Sequence, residues 1–279
     1  MLNVVRTRAE LREARAALPG PVGFVPTMGA LHEGHASLVR RAREDCQSVA
    51  ASIFVNPTQF GANEDLGRYP RDEAGDLALL ELLGVDLVFL PGVVDIYPPG
   101  ATMSVDVGAL GEVLEGAARP GHFRGVATVV TILFNLVAPD RAFFGQKDGQ
   151  QSVVIHRLVR DLGMPVEIVV CPTVREADGL AMSSRNRYLT DQERGQAPII
   201  NRALQAAAEA LAAGDRSAES LRQFMRDELA EASLGNVDYV SVADAETLQE
   251  LETVDRPALA SLAVRFPSAR LIDCQPLLP

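Results

Sequence analysis

The sequence predicts an α/β protein: a Rossmann-like parallel-sheet domain over the first two-thirds, followed by a smaller α+β domain. Three observations carry that expectation. Short apolar runs alternate with amphipathic helical stretches, giving helix, strand, helix, strand, helix, strand over the first ninety residues. The runs are near-continuous, as in 48–55, which is the pattern of parallel strands covered on both faces. Past Tyr188 the texture changes to alanine-rich helices and short alternating strands, and the division is expected between 1–176 and 177–279.

Thr7 with Glu10 three residues on has the form of a capping box, so a helix is expected from there to about Leu18, ended by Pro19-Gly20-Pro21. Val22 to Val25 reads as a short buried strand. A helix over 36–46 places Leu38, Val39 and Ala42 on one face. Strand 48–55 is followed by a helix over 71–83, with Leu77, Leu80 and Leu83 apolar, and by a strand over 86–91. Then come an extended piece at 101–107, an apolar-faced helix over 126–137, a buried strand at 141–144, a helix over 152–161 and a strand over 166–171. In the last third, 191–213 and 217–232 read as helices, and 237–242, 262–266 and 269–272 as half-buried strands.

Hydrophobic residues at 47% and charged residues at 23% are ordinary for a globular chain, and 279 residues suffice for one large domain or two unequal ones. The net charge of −11 repels nucleic acid and anionic membrane, so a phosphate ligand needs a local basic pocket. Cys46, Cys171 and Cys274 lack paired metal spacing and read as buried thiols in a reducing compartment. With no signal-peptide core at 1–13 and no membrane-length apolar run, the expected location is cytoplasmic.

The chemistry gathers at loops that follow the expected strands. Pro26-Thr27-Met28-Gly29-Ala30-Leu31-His32-Glu33-Gly34-His35 joins a strand to a helix. Such a turn presents unpaired N–H groups and the positive end of a helix dipole, which suits a phosphate. His32 and His35, at i,i+3, fall on one side of the helix start, where each can donate to a phosphate oxygen. Gly34 leaves room for close approach. Two such histidines also occur as plain polar surface, and the spacing is one residue short of a metalloprotease pair. Asn56 and Gln59, past the end of a parallel strand, stand where open α/β sheets bind ligands, although a plain Asn-Pro turn fits them equally. Arg119-Pro120-Gly121-His122-Phe123-Arg124-Gly125 reads as a mobile loop able to face an anion, or as a solvated charged loop. In Gly145-Gln146-Lys147-Asp148-Gly149-Gln150-Gln151, Lys147 is the natural phosphate partner, Asp148 suits a ribose hydroxyl or an N-cap, and Gln151 a second polar group. Met182-Ser183-Ser184-Arg185-Asn186 offers two hydroxyls and a guanidinium to polyphosphate oxygens, or forms a serine-rich helix cap.

Together and in this order, the four motifs resemble the pantoate–β-alanine ligases (pantothenate synthetases) of the nucleotidylyltransferase superfamily. The likeness spans nearly the whole first two-thirds of the chain and is weaker beyond. It implies condensation of pantoate with β-alanine through a pantoyl adenylate, with ATP giving pyrophosphate and then AMP. An ATP- and pantoate-binding domain is implied over 1–176. By position, the resemblance implies His35, His32, Lys147 and Arg185 as the catalytic set. It adds Met28, Gly34, Gly145, Asp148, Val174, Met182, Ser183 and Ser184 as ATP contacts, Val174 through its backbone at the adenine. Gln59, Gln151 and Asn56 are implied at pantoate and β-alanine, and the loop with Arg119 and His122 resembles a flexible wall over the pocket. Mg²⁺ is implied on the triphosphate with no protein metal ligand, the acidic cluster around 72–76 being only partly present. A homodimer is implied, with neither nucleic acid nor membrane as partner. Two residues depart from the family pattern: Gln146 where members carry Glu, and Gly149 where they carry an aromatic. A superfamily enzyme that adenylates a phosphate, and a non-catalytic nucleotide binder of the same fold, are the competing readings.

Overall fold

The computed structural model describes residues 2–61 and 64–279, which form two compact units. One runs up to Gly145 and includes Val154–Cys171; the other is Gln146–Val153 with Pro172–Pro279. The expected cut between 176 and 177 therefore falls inside the second unit.

The first unit is built, in chain order, from β1 (Asn3–Val5), α1 (Arg8–Ala16), β2 (Val22–Thr27), α2 (Glu33–Asp45), β3 (Ser48–Ile53), α3 (Glu73–Leu82), β4 (Leu87–Phe89), the short α4 (Val93–Ile96) and α5 (Glu115–Ala118), α6 (His122–Val137), β5 (Arg141–Gly145), the body of α7 (Gly149–Asp161) and β6 (Glu167–Cys171). The strands form one sheet in the order β1-β4-β3-β2-β5-β6, every pair parallel. From β2 the chain winds one way through β3 and β4, then returns by α6 to β5 and β6. The order reverses between β2 and β5, and the crevice beyond their carboxyl ends is where open α/β sheets bind ligands. Leu11, Val130, Leu133 and Ile155 cover one face against Phe24 and Phe89; Leu38, Val39 and Leu80 cover the other against Val25 and Val88. That double cover is why the strands read as continuous apolar runs.

Thr7 and Glu10 make the expected capping box at α1. β1 is not among the expected strands: at three residues it carries no period, and its pairing with β4, Asn3 opposite Leu87, gives it its place. Residues 101–107 form no strand. α6 begins at His122 after Gly121 in the left-handed region, so residues 122–125 are helical, where the sequence reads as loop.

The second unit holds α8 (Asp191–Gln196), α9 (Ile199–Ala212), α10 (Ala218–Leu229) and the antiparallel sheet β7 (Asn236–Asp244), β8 (Ala258–Arg265), β9 (Arg270–Leu277) in that order. The single helix expected over 191–213 is two, because Pro198 has no N–H to continue the first. β8 is buried on both faces in place of the expected alternation. Leu262 and Val264 pack with Ile200, Leu204, Leu221 and Met225, and on the other face Leu259 lies against Gly149. Among the described residues no helix is long and apolar enough to cross a membrane.

Candidate active site

The turn after β2 is held from both sides. The Thr27 hydroxyl donates to Ser52 O at 2.7 Å and accepts the Gly29 N–H at 3.2 Å. Gly29 (φ +82°) and Ala30 (φ +51°) both take the left-handed region, which turns the N–H groups of Ala30 and Leu31 onto the buried carboxylate of Asp76, at 2.9 and 2.7 Å. A Cβ at position 29 would stand 2.9 Å from that carboxylate, so glycine is required by contact as well as by φ. Asp72 caps α3 through the Gly75 N–H at 3.0 Å. Of the three carboxylates in the acidic cluster, Asp72 and Asp76 are thus engaged with backbone and Glu73 pairs with Arg6 at 2.5 Å. Among the described residues no three His, Cys, Asp or Glu group to hold a metal ion.

α2 then starts on the two histidines. His32 is the N-cap and His35 the third helical residue. Nδ1 of His32 accepts the Gly34 N–H at 3.2 Å, Nδ1 of His35 accepts the His32 N–H at 3.3 Å, and the ring centroids are 4.2 Å apart. This is a capping box made of imidazoles. A nitrogen that accepts carries no proton, so the neutral form of each ring is the Nε2–H tautomer. Each ring then has a donor at Nε2, beside a helix N-terminus whose dipole favours anions.

Past β3, Pro57–Gln59 form one tight turn. The Gln59 amide oxygen accepts from Asn56 Nδ2 at 2.9 Å, and its Nε2 lies 3.3 Å from Met28 Sδ. Asn56, expected at the substrates, is 1% exposed and has both polar atoms of its side chain engaged within the protein. Its Nδ2 also donates to Gly125 O at 3.2 Å, and its Oδ1 accepts from Tyr97 OH at 2.8 Å and Thr58 Oγ1 at 2.9 Å. The Asn56 side chain therefore orients Gln59.

His122 is 9% exposed in the first turn of α6. Its Nδ1–H donates to Gln59 O at 2.9 Å, and its Nε2 accepts from Arg119 Nη1 at 3.0 Å. Only the neutral ring makes both bonds, and burial, then the Arg119 charge, push its pKa down to about 4. Arg119 forks onto Glu64 at 2.6 and 2.8 Å. The Arg119 guanidinium is thus bound to Glu64 and neither solvated nor offered to an anion, and with His122 it holds Gln59 O.

In the second unit, Lys147 Nζ lies 3.4 Å from Asp148 Oδ1, and Asp148 stands at the cap position of α7, its carbonyl accepting the Ser152 N–H at 3.0 Å. Gln151 is half-buried in that first turn. Val174 O accepts the Met182 N–H at 3.0 Å, and Arg175 pairs with Ala181, so 174–182 is a hairpin leading into the serine motif. Ser183 caps the turn Ser184–Tyr188 by accepting the Arg185 N–H at 3.3 Å, and Ser184 is buried. By unit, Met28, His32, Gly34, His35, Asn56, Gln59 and Gly145 belong to the first, and Lys147, Asp148, Gln151, Val174, Met182, Ser183, Ser184 and Arg185 to the second.

The model of the pantoate–β-alanine ligase family matches residues 3–276. The chain belongs to the pantoate–β-alanine ligase family. A pantothenate synthetase of Roseiflexus sp. (strain RS-1) is 61% identical over 272 residues, 98% of either chain. The crystal structure of pantothenate synthetase from Thermus thermophilus aligns with a TM-score of 0.95 at 52% identity, over 99% of this chain and 100% of that one. A pantoate–β-alanine ligase of Francisella tularensis, crystallised with β-γ ATP and β-alanine, aligns at a TM-score of 0.80 and 33% identity, over 99% and 97% of the two chains.

Within this family fold, the residues whose positioning role sequence reasoning did not see are those that aim the others: Asp76, Tyr97 and Glu64. Asp76 carried a readable signal. With Leu80 and Leu83 at i+4 and i+7, it is a lone acid on the apolar face of its helix, and such a group needs partners.

Proposed function

We propose that the chain joins pantoate to β-alanine with ATP in two steps. The pantoate carboxylate attacks the α-phosphorus, giving pantoyl adenylate and pyrophosphate. The β-alanine amine then attacks the acyl carbon, and AMP leaves as pantothenate forms. The observation that carries this reading is the imidazole capping box of His32 and His35. Adenylation requires positioning and stabilisation of charge rather than covalent chemistry from the protein. Two N–H donors whose tautomer is fixed by the helix cap meet that need at the phosphates, His35 foremost.

In the same reading Lys147 neutralises phosphate charge, and Ser183, Ser184 and Arg185 hold the β- and γ-phosphates. Gly145 and Asp148 hold the ribose, Val174 meets the adenine through its backbone, and Met28, Gly34 and Met182 line the nucleotide. Gln59 and Gln151 take the pantoate hydroxyls and carboxylate, Gln59 with its amide already oriented by Asn56. Mg²⁺ travels on the triphosphate, in keeping with the engagement of Asp72 and Asp76 by backbone N–H groups. A cytoplasmic homodimer belongs to this reading through the family resemblance. The family match over nearly the whole chain and the substrates crystallised with the Francisella relative support it.

A pyrophosphate-release assay tests the proposal. With Mg²⁺·ATP and pantoate alone, a burst stoichiometric with enzyme is expected, turning into sustained release of pyrophosphate and AMP when β-alanine is added. ATP binding without any response to pantoate contradicts it.

A further inference from the structure

Gln146 and Gly149, the two departures from the family pattern, share a partner. Cys274 on β9 is 3% exposed, and its thiol donates to Gln146 O at 2.8 Å with Gln146 Nε2 at 3.6 Å. A Cβ on Gly149 would stand 2.6 Å from Cys274 Sγ, so the thiol fills the space that a side chain at 149 needs. Burial pushes the thiol up to about 12, which keeps it a donor. Its neighbour Asp273 is 2% exposed and grips a different segment, since consecutive strand residues face opposite sides. Both its oxygens take Arg175, at 2.6 and 3.3 Å, and one also accepts the Cys274 N–H at 2.8 Å. Arg175 donates on to Gly179 O at 3.2 Å, closing the hairpin that starts at Val174 and leads to Ser183. Burial pushes the Asp273 carboxyl up while Arg175 and then Lys147 pull it back, so the Lys147 charge is felt there.

We propose that Asp273 and Cys274 are positioning residues: one step of β9 sets both the Lys147 loop and the Val174–Ser184 hairpin, and so fixes the nucleotide grip of the second unit. The proposal rests on the ATP-ligase reading for what those segments hold. Neither residue touches a reacting atom; Asp273 acts through Arg175, and Cys274 through Gln146. Loosening them leaves the Lys147 and Arg185 side chains present, so KM for ATP rises while kcat falls far less than on removing Lys147 itself.

The test uses the full chain as wild type, Asp273→Asn and Cys274→Ala. Mg²⁺·ATP affinity is read by calorimetry, alongside melting temperature and KM for ATP and for pantoate. Each variant is expected to bind ATP about tenfold more weakly, with kcat and the pantoate KM within about threefold of wild type. Cys274→Ser, which keeps a donor toward Gln146 O, restores most of the affinity. Folded variants with wild-type ATP affinity overturn the proposal, as do equal losses for ATP and pantoate. If Asp273→Asn does not fold, Arg175→Lys reads the same contact, because it keeps the charge and loses the fork. A wild type that binds ATP yet gives no pantoate-dependent pyrophosphate defeats the ligase reading and leaves the affinity comparison decisive here. A wild type that binds no ATP overturns both.

Discussion

The backbone N–H of His32 donates to Nδ1 of His35 at 3.3 Å, and this bond ties the protonation of the His35 ring to the start of α2. Cap and chemistry use different nitrogens of one side chain, so they can be separated. Asparagine places an amide oxygen near the Nδ1 position and nothing at Nε2. His35→Asn should keep its melting temperature and lose about 10²–10³-fold in turnover, the usual cost of one donor to developing charge. Wild-type turnover in a folded His35→Asn protein would remove the ring from the mechanism.

Among the described residues Lys147 pairs at a long 3.4 Å with its neighbour Asp148, so its ammonium is held loosely within the second unit. Lys147→Ala should slow pantoate-dependent pyrophosphate release by about 2–4 kcal/mol of barrier while leaving the fold intact. An unaltered burst rate in rapid quench would show that phosphate charge is neutralised elsewhere.

Gly125 offers a test whose sign opposes propensity. In an ordinary helix interior, Gly→Ala stabilises by about 1 kcal/mol. Here a Cβ would stand 2.5 Å from Thr58 O and 2.8 Å from the Gln59 Cα, both backbone. Gly125→Ala should instead destabilise the chain and raise the pantoate KM more than the ATP KM, because the turn bearing Gln59 must move. A more stable variant with normal kinetics would contradict the packing of α6 on that turn.

His122 gives a pH dependence. Its pKa falls from 6.5 to about 4 on folding, chiefly through burial, so in that window the unfolded chain binds more protons than the native one. Stability is therefore full above the unfolded value and falls as the pH drops toward 4, by on the order of 3 kcal/mol over the full shift. Urea unfolding at neutral pH and near pH 4.5 should show wild type losing about 2–3 kcal/mol more than His122→Gln, which does not titrate. Equal losses would mean that the ring is not buried neutral.

How much is legible from sequence follows from the range of each signal. Local signals hold: the Thr7 box, the buried face of Leu38, Val39 and Ala42, and the short strand before the histidine turn all appear as expected. What fails depends on distant residues. The contact of Asp76 with Ala30 and Leu31 spans more than forty positions, and no local pattern announces a left-handed alanine. His122 reads as loop because glycine and proline surround it, yet its neighbours Glu64 and Gln59 come from another segment. The break at Pro198 is visible in the chain, and the alanine-rich stretch that follows it hides the break by reading as one helix with 191–197.

The central claim, attack of the pantoate carboxylate on ATP by this chain, is tested most directly by oxygen-18 transfer. The attacking oxygen becomes the bridge to phosphorus and stays with AMP when the amine displaces it at carbon. Pantoate labelled in its carboxylate should yield AMP carrying one labelled oxygen, read by mass spectrometry, with the other oxygen retained in pantothenate. Unlabelled AMP formed alongside pantothenate would contradict the account.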